Sequence, residues 1–168
     1  VFETARSFLR ISGRATAIVK RVIDMNEKQN MELLQYVYQN VKMGEDNIRT
    51  LLPVVKDAEL KTHLHKQMSG YGKFSNQAEE EIYRRNGKPK ENSIMAKMAA
   101  RMGVKMKTMQ EHSPTRIAEM TIQGSTMGIV DITEHLNRCK EADSAAQKLA
   151  NDVLHFEQNN IGRLKSFL

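Results

Sequence analysis

Four segments of this 168-residue chain repeat apolar residues every three or four positions, with breaks between them. A repeat of that period places apolar side chains along one face of an α-helix, and that face must pack against other elements. No segment alternates apolar and polar residues long enough to predict a strand. The sequence therefore predicts an all-α protein built as a four-helix bundle.

The predicted helices begin and end at residues that commonly mark helix termini. Asp57, Ser113 and Asp143 each precede a helical repeat, where their side chains can accept hydrogen bonds from first-turn N–H groups. Pro114 suits the first position of a helix, and Gly87, shortly before a proline, suits a helix end. The predicted helices cover about 27–52, 58–85, 114–138 and 144–168.

A further helical segment, 93–110, joins the second and third predicted helices. At 1.5 Å per residue it would span about 27 Å, enough to carry the chain back along the bundle. The third helix would then run parallel to the second, whereas the short breaks elsewhere make the first and last pairs antiparallel. These features predict an up-down-down-up bundle with one long helical crossover.

Methionine recurs along the crossover every three or four residues, with basic residues between. We expect this face to pack onto the bundle. Two alternatives remain: an interface in a homo-oligomer, because flexible thioethers accommodate varied partners, and binding to a peptide or an anionic membrane surface. The methionines are Met95, Met98, Met102, Met106 and Met109.

Residues 1–24 form a basic extension that differs in composition from the rest of the chain. Five basic and two acidic residues give this stretch a net charge of +3, half of the chain's +6. Three interpretations stay open: a stretch appended at a gene or expression boundary, a disordered or weakly helical basic arm, or an organelle-targeting segment. We expect it to lie outside the core, and residues 25–168 to form the bundle domain.

Composition limits the class of function. The body is only mildly basic and shows no basic stripe with aromatic base readers, which argues against nucleic-acid binding. No apolar run approaches the roughly 18 residues of a membrane-spanning helix. Cys139 is the single cysteine, which excludes an intrachain disulfide and favours a reducing, cytoplasmic location.

Two glutamates interrupt the apolar stripes, Glu45 on the first predicted helix and Glu157 on the fourth. A carboxylate on a core-facing stripe is costly unless it is paired, hydrogen-bonded or bound to metal. Inward polar residues at comparable heights could satisfy both, and desolvation together with like charge would then raise at least one glutamate pKa. The expected buried polar cluster consists of Glu45, Gln67, Tyr71, Thr126, Glu157 and Asn160.

Two stretches carry a family resemblance. Residues 32–34 (Glu-Leu-Leu) through 43–45 (Met-Gly-Glu), and residues 118–120 (Ala-Glu-Met) into 128–129 (Gly-Ile), resemble an uncharacterised bacterial branch of the ferritin-like superfamily. The resemblance extends over residues 27–168. It implies the four-helix bundle and, in active relatives, a carboxylate-bridged di-iron centre.

Active ferritin-like proteins hold iron with one Glu from each of two helices and Glu-x-x-His from each of the others. No glutamate here has histidine three positions later, and Glu157 is followed by Asn160 instead. We therefore expect no metal, with Glu45 and Glu157 as the remaining candidate ligands for iron. The predicted function is a non-catalytic bundle with a structural, association or stress-related role. The alternative is an iron-binding oxidoreductase or storage protein with an incomplete ligand set.

Overall fold

The structure, a computed structural model, describes residues 2–90 and 112–168, with side chains from residue 15 onward. Every regular element in these ranges is helical, which confirms the all-α class for the described part of the chain. The 93–110 crossover and its methionines lie outside the described residues. The elements are α1 (Phe2–Leu51), a 3-10 turn (Leu52–Val54), α2 (Ala58–Arg84), α3 (Pro114–Arg138), α4 (Ser144–Leu164) and a second 3-10 turn (Lys165–Phe167).

The three predicted helix caps are present, which confirms the starts of α2, α3 and α4. Asp57 accepts a hydrogen bond from the backbone N–H three residues later at 2.7 Å. Ser113 does the same at 3.3 Å and Asp143 at 2.9 Å. Each cap satisfies a donor that the first helical turn would otherwise leave without a partner.

The end of α2 uses a different residue from the one the sequence indicated. Asn86, with φ of 57°, adopts the left-handed conformation that often ends a helix, and asparagine tolerates it better than most residues. The N–H groups of Asn86 and Gly87 bond to the carbonyls of Tyr83 and Ile82 at 2.9 and 3.0 Å. A Cβ at Gly87 would lie 2.5 Å from Cε of Met31, so a larger residue there would have to displace the end of that flexible side chain.

Helix α1 is much longer than predicted, because it begins at Phe2 rather than near residue 27. Residues 2–26, the N-terminal arm, continue the helix of the bundle without a break and span about 37 Å at 1.5 Å per residue. The stretch contains no proline and many good helix formers, so nothing in it interrupts the helix. Side chains 15–25 are all exposed, and among the side chains described from residue 15 onward the first buried one is that of Asn30.

Helices α1 and α3 run antiparallel. Tyr36 of α1 stacks on His135 near the end of α3, with ring centroids 3.5 Å apart. One turn further along α1, Asn40 donates a hydrogen bond to the carbonyl of Gly128, which lies earlier on α3, at 3.5 Å. Residue numbers thus rise along one helix as they fall along the other.

Helix α2 runs antiparallel to α4 and to α1. Arg163 near the end of α4 donates to Glu59 at the start of α2 at 3.1 Å. Arg85, directly after α2, binds Asp143 at the start of α4. Gln35, early in the bundle part of α1, donates at 2.7 Å to a backbone carbonyl just after the end of α2.

The core lies between the four helices and is mostly apolar. One polar side chain, that of Gln67, ranks among the largest that are fully buried, and it marks the position of the site described below. The others in that group are Leu33, Leu34, Ile48, Leu51, Leu60, Leu64, Ile82, Ile117, Met120, Ile132 and Leu164.

Asp143 joins three parts of the bundle, so its replacement should lower the stability of the fold. Its carboxylate caps α4 and binds Arg85, while its backbone N–H, which alanine would keep, donates to Asn30 of α1 at 2.7 Å. We expect Asp143→Ala to lower the free energy of unfolding by about 2–3 kcal/mol, more than a cap alone contributes. Asp57→Ala, which removes the cap of α2, should cost about 1 kcal/mol. Urea denaturation measures both, and equal losses would contradict the role given to Arg85.

Candidate functional site

A buried polar cluster lies midway along the bundle. Its members, the central polar cluster, are Gln67 and Tyr71 on α2, Ser125 on α3 and Glu157 on α4, and each is at most 5 % exposed. The Tyr71 hydroxyl donates to the carboxylate of Glu157, at 2.8 Å from Oε1 and 3.0 Å from Oε2. Gln67 Nε2 in turn donates to the Tyr71 oxygen at 3.1 Å. The chain of contacts therefore joins α2 to α4.

Two polar atoms of the cluster lack good hydrogen bonds. Ser125 Oγ and Gln67 Oε1 are buried and have no partner of acceptable geometry. The Ser125 hydroxyl is nevertheless near enough to the carboxylate to lower the pKa of Glu157. The hydroxyl is therefore adjacent to the carboxylate without a hydrogen bond of good geometry to it. Unpaired polar atoms are uncommon in a protein core and often mark a site for water or another small polar species.

Burial governs the protonation of the cluster. It raises the pKa of Glu157 from 4.5 to about 7, although the hydroxyls of Ser125 and Tyr71 oppose part of that rise. Burial and the neighbouring Glu157 charge raise the pKa of Tyr71 well above its ordinary value. Near neutral pH the carboxyl is thus divided between its two forms, while Tyr71 remains a hydrogen-bond donor.

The Tyr71 ring is held between α1 and α4. A Cβ on Gly44 of α1 would lie only 2.6 Å from Cζ of Tyr71, so the glycine permits the close approach of ring and helix. Phe156 of α4 contacts the ring edge-on, with centroids 5.2 Å apart. Gly70 makes room for Phe156 in the same way, since a Cβ there would lie 2.4 Å from its ring. These contacts fix the direction of the hydroxyl toward Glu157.

A small cavity opens beside the cluster, between α1 and α3. Its volume of about 30 Å³ has room for one or two water molecules and no organic substrate. Gly124 and Gly128 line the α3 side of the cavity, and Met43 lines its α1 side. Its polar lining comprises Asn40, Asn47, Tyr71, Thr121, Ser125 and Glu157.

Glu45 and Thr126 are not in the cluster, contrary to the prediction from sequence. The Glu45 side chain, 15 % exposed, lies at the edge of the apolar face of α1 and binds Lys42 at 2.9 Å and also Arg49. Both cations stand within one turn on the same helix, so the carboxylate is paired locally. Thr126 is exposed and donates its hydroxyl to the carbonyl of Ile122 at 2.8 Å.

Asn160, Gln67, Tyr71 and Glu157 are all buried, as the sequence indicated. Asn160 lies one turn after Glu157, but its Nδ2 has no hydrogen-bond partner. Ser125 is the member that the predicted cluster lacked. Its inward position on α3 was visible in the helical repeat, but the prediction assigned the inward position to the adjacent Thr126 instead.

The donor set around Glu157 differs from that of a di-iron centre. It offers one carboxylate, a phenol, an amide and a hydroxyl, whereas such centres use several carboxylates and two histidines. Within residues 15–90 and 112–168, no three His, Cys, Asp or Glu side chains converge as a metal site would require. The residues around Glu157 therefore do not fit a carboxylate-bridged pair of iron ions.

Comparison of the chain with protein-family models, with curated proteins and with solved structures found no match. Among the described residues, no helix is long and apolar enough to span a bilayer. The interpretation of function therefore depends on the residues of this chain.

The raised pKa of Glu157 predicts a defined pH dependence of stability. Between pH 4.5 and about 7 the folded state binds more protons than the unfolded chain, so ionisation of Glu157 weakens the fold as pH rises. Glu157→Gln, nearly isosteric and uncharged, should match the wild type near pH 5 and exceed it by about 1–3 kcal/mol near pH 8.

Urea denaturation of both proteins at the two pH values measures this difference. Glu45→Gln is the matched control, because it removes partly exposed ion pairs and should cost at most about 1 kcal/mol at either pH. A Glu157→Gln protein less stable than the wild type near pH 8 would show that a positive partner stabilises the carboxylate.

A glycine pair tests the packing of Tyr71. Gly44→Ala would place a methyl group against the Tyr71 ring, and we expect a net loss of about 1–2 kcal/mol after the better helix propensity of alanine is counted. Gly72→Ala on α2 meets nothing within 4 Å and should gain about 0.5–1 kcal/mol. Thermal denaturation of the two variants compares them, and equal gains would refute the close contact.

Proposed function

We propose that this chain is a ferritin-like bundle in up-down-down-up order that acts without catalysis, by association, in a structural or stress-related role. The observation that carries the proposal is the environment of Glu157. The resemblance assigns this position to a metal ligand, yet both carboxylate oxygens accept a hydrogen bond from Tyr71 and every neighbouring donor is neutral.

The directions of the helix pairs support the proposed order. Both α2 and α3 run antiparallel to α1, so they run the same way as each other, and α4 is antiparallel to α2. Two consecutive parallel helices require a long connection between them. The stretch between residues 90 and 112 has enough residues to return along the bundle.

The position of the cluster supports a structural role. Tyr71 and Glu157 link α2 to α4, Ser125 adds α3, and Gly44 brings α1 against the same ring. A slip of any helix by one turn would separate these groups and leave buried polar atoms without partners, which is costly. The cluster would thus fix the relative heights of the four helices.

Exposed apolar side chains support a role in association. Met127 and Val130, one turn apart on α3, are 49 % and 51 % exposed, so the described surface keeps apolar area for a partner such as a second copy.

Cys139 is buried, and burial raises the pKa of its thiol, which disfavours the reactive thiolate. An unreactive lone thiol is compatible with the cytoplasmic location that we propose.

The second candidate function is binding of a metal by an incomplete ligand set. Ser125 Oγ is close to the Glu157 carboxylate, and both it and Gln67 Oε1 are buried without a hydrogen-bond partner. Together with the cavity they offer oxygen donors, which suit a hard cation such as Mg²⁺ or Mn²⁺ better than they suit paired iron.

Metal analysis of the full chain separates the two candidates. Protein produced with added iron and manganese and purified without chelator should carry far less than one metal ion per chain. Its thermal denaturation should not respond to EDTA. The second candidate predicts about one ion per chain, lost in Glu157→Gln and retained in Glu45→Gln, and that result would overturn the proposal.

A further inference from the structure

The N-terminal arm carries an apolar surface that the bundle does not cover. Five large apolar side chains of the arm are exposed: Ile18 (62 %), Val19 (58 %), Val22 (46 %), Ile23 (56 %) and Met25 (49 %). Large aliphatic side chains rarely stay in water in such a group unless they contact another molecule. The arm therefore has a property that packing within the bundle does not explain.

The arm separates its apolar and charged residues. At about 100° per residue, the five exposed apolar positions fall within an arc of about 160°. Lys20, Arg21 and Asp24 occupy the opposite side of the helix. All residues from 15 to 25 are exposed, so both sides are open to solvent. The arm is thus an amphipathic helix with a wide apolar face.

The net charge of this region is positive. Among residues 15–26, Lys20 and Arg21 carry positive charge and Asp24 carries the negative charge. The sequence before residue 15 adds three arginines and one glutamate. The whole chain has a formal net charge of +6. A positive helix with a broad apolar face is attracted to negative surfaces before its apolar side chains insert.

A second copy of the arm fits this surface less well than a bilayer does. The stripe Ile18, Val22 and Met25 has the spacing of a coiled-coil seam, but such a seam is narrow. Pairing two arms along it would leave Val19 and Ile23, on the far side of the apolar arc, largely in water. A flat apolar medium covers the whole arc, and anionic headgroups complement the basic side.

We propose that the N-terminal arm binds the surface of an anionic lipid bilayer, lying in the plane of the interface with Ile18, Val19, Val22 and Ile23 inserted among the lipids. Lys20 and Arg21 then contact the headgroups. Because the arm continues α1 without interruption, binding holds the bundle beside the membrane. The inference is independent of the role of the central polar cluster.

Vesicle sedimentation of the full chain tests the proposal. We expect binding to phosphatidylcholine vesicles that contain about one third phosphatidylglycerol, and at least about tenfold weaker binding to pure phosphatidylcholine. Ile18→Ser with Val22→Ser should weaken binding to the anionic vesicles at least about tenfold. Lys20→Gln with Arg21→Gln should weaken it and reduce its sensitivity to salt.

Tyr83→Ser on α2 is the matched control, since it removes a large exposed side chain from the bundle and should leave vesicle binding unchanged. Thermal denaturation of each variant verifies that the bundle is intact, which these exposed positions should permit. The proposal is overturned if the wild type does not bind anionic vesicles, or if the Ile18 and Val22 changes do not weaken binding. A dimer in solution that those two changes abolish, without vesicle binding, would assign the face to a second copy instead.

Discussion

The hydrogen bond between Tyr71 and Glu157 is the contact on which the centre of this bundle depends. A buried carboxylate loses several kcal/mol of hydration, and a neutral donor replaces only part of it. The pKa of Glu157 therefore rises to about 7 instead of falling. Because the Tyr71 hydroxyl donates the hydrogen bond that the carboxylate accepts, its position matters, and the residues around the ring secure that position. Gly44 permits the approach of α1, and Phe156 contacts the opposite side.

Much of the fold could be predicted because its signals are local. The caps Asp57, Ser113 and Asp143 act on backbone groups three residues away, so a short stretch of sequence contains the whole interaction. The apolar repeat likewise identifies the buried face of each helix. Tyr71 and Glu157 were found in this way, since both lie in the middle of their stripes and are almost fully buried.

The predictions that were wrong concern features that the sequence of a single helix does not determine. Ser125 and Thr126 differ by about 100° around α3, and which of them faces the core depends on how α3 crosses α1. Glu45 lies at the edge of its stripe, where Lys42 and Arg49 can reach the carboxylate. The start of α1 was misplaced because burial was used as the sign of a helix. The arm is helical through its own propensity and buries none of its described side chains before Asn26.

The distribution of positive charge distinguishes a structural cluster from a metal centre. A site evolved to hold a cation gathers carboxylates and keeps basic side chains at a distance, so that the cation itself lowers their pKa values. Here the Glu45 carboxylate lies at the edge of the bundle and binds Lys42 and Arg49 of its own helix. The other, Glu157, has only hydroxyl and amide neighbours, and its pKa is raised by burial. The two carboxylates are thus neutralised by different means, Glu45 by ion pairing and Glu157 by partial protonation. Neither arrangement leaves the pair of free, converging carboxylates that bridging metal ions would require, which is why the cluster is better explained as a link between helices.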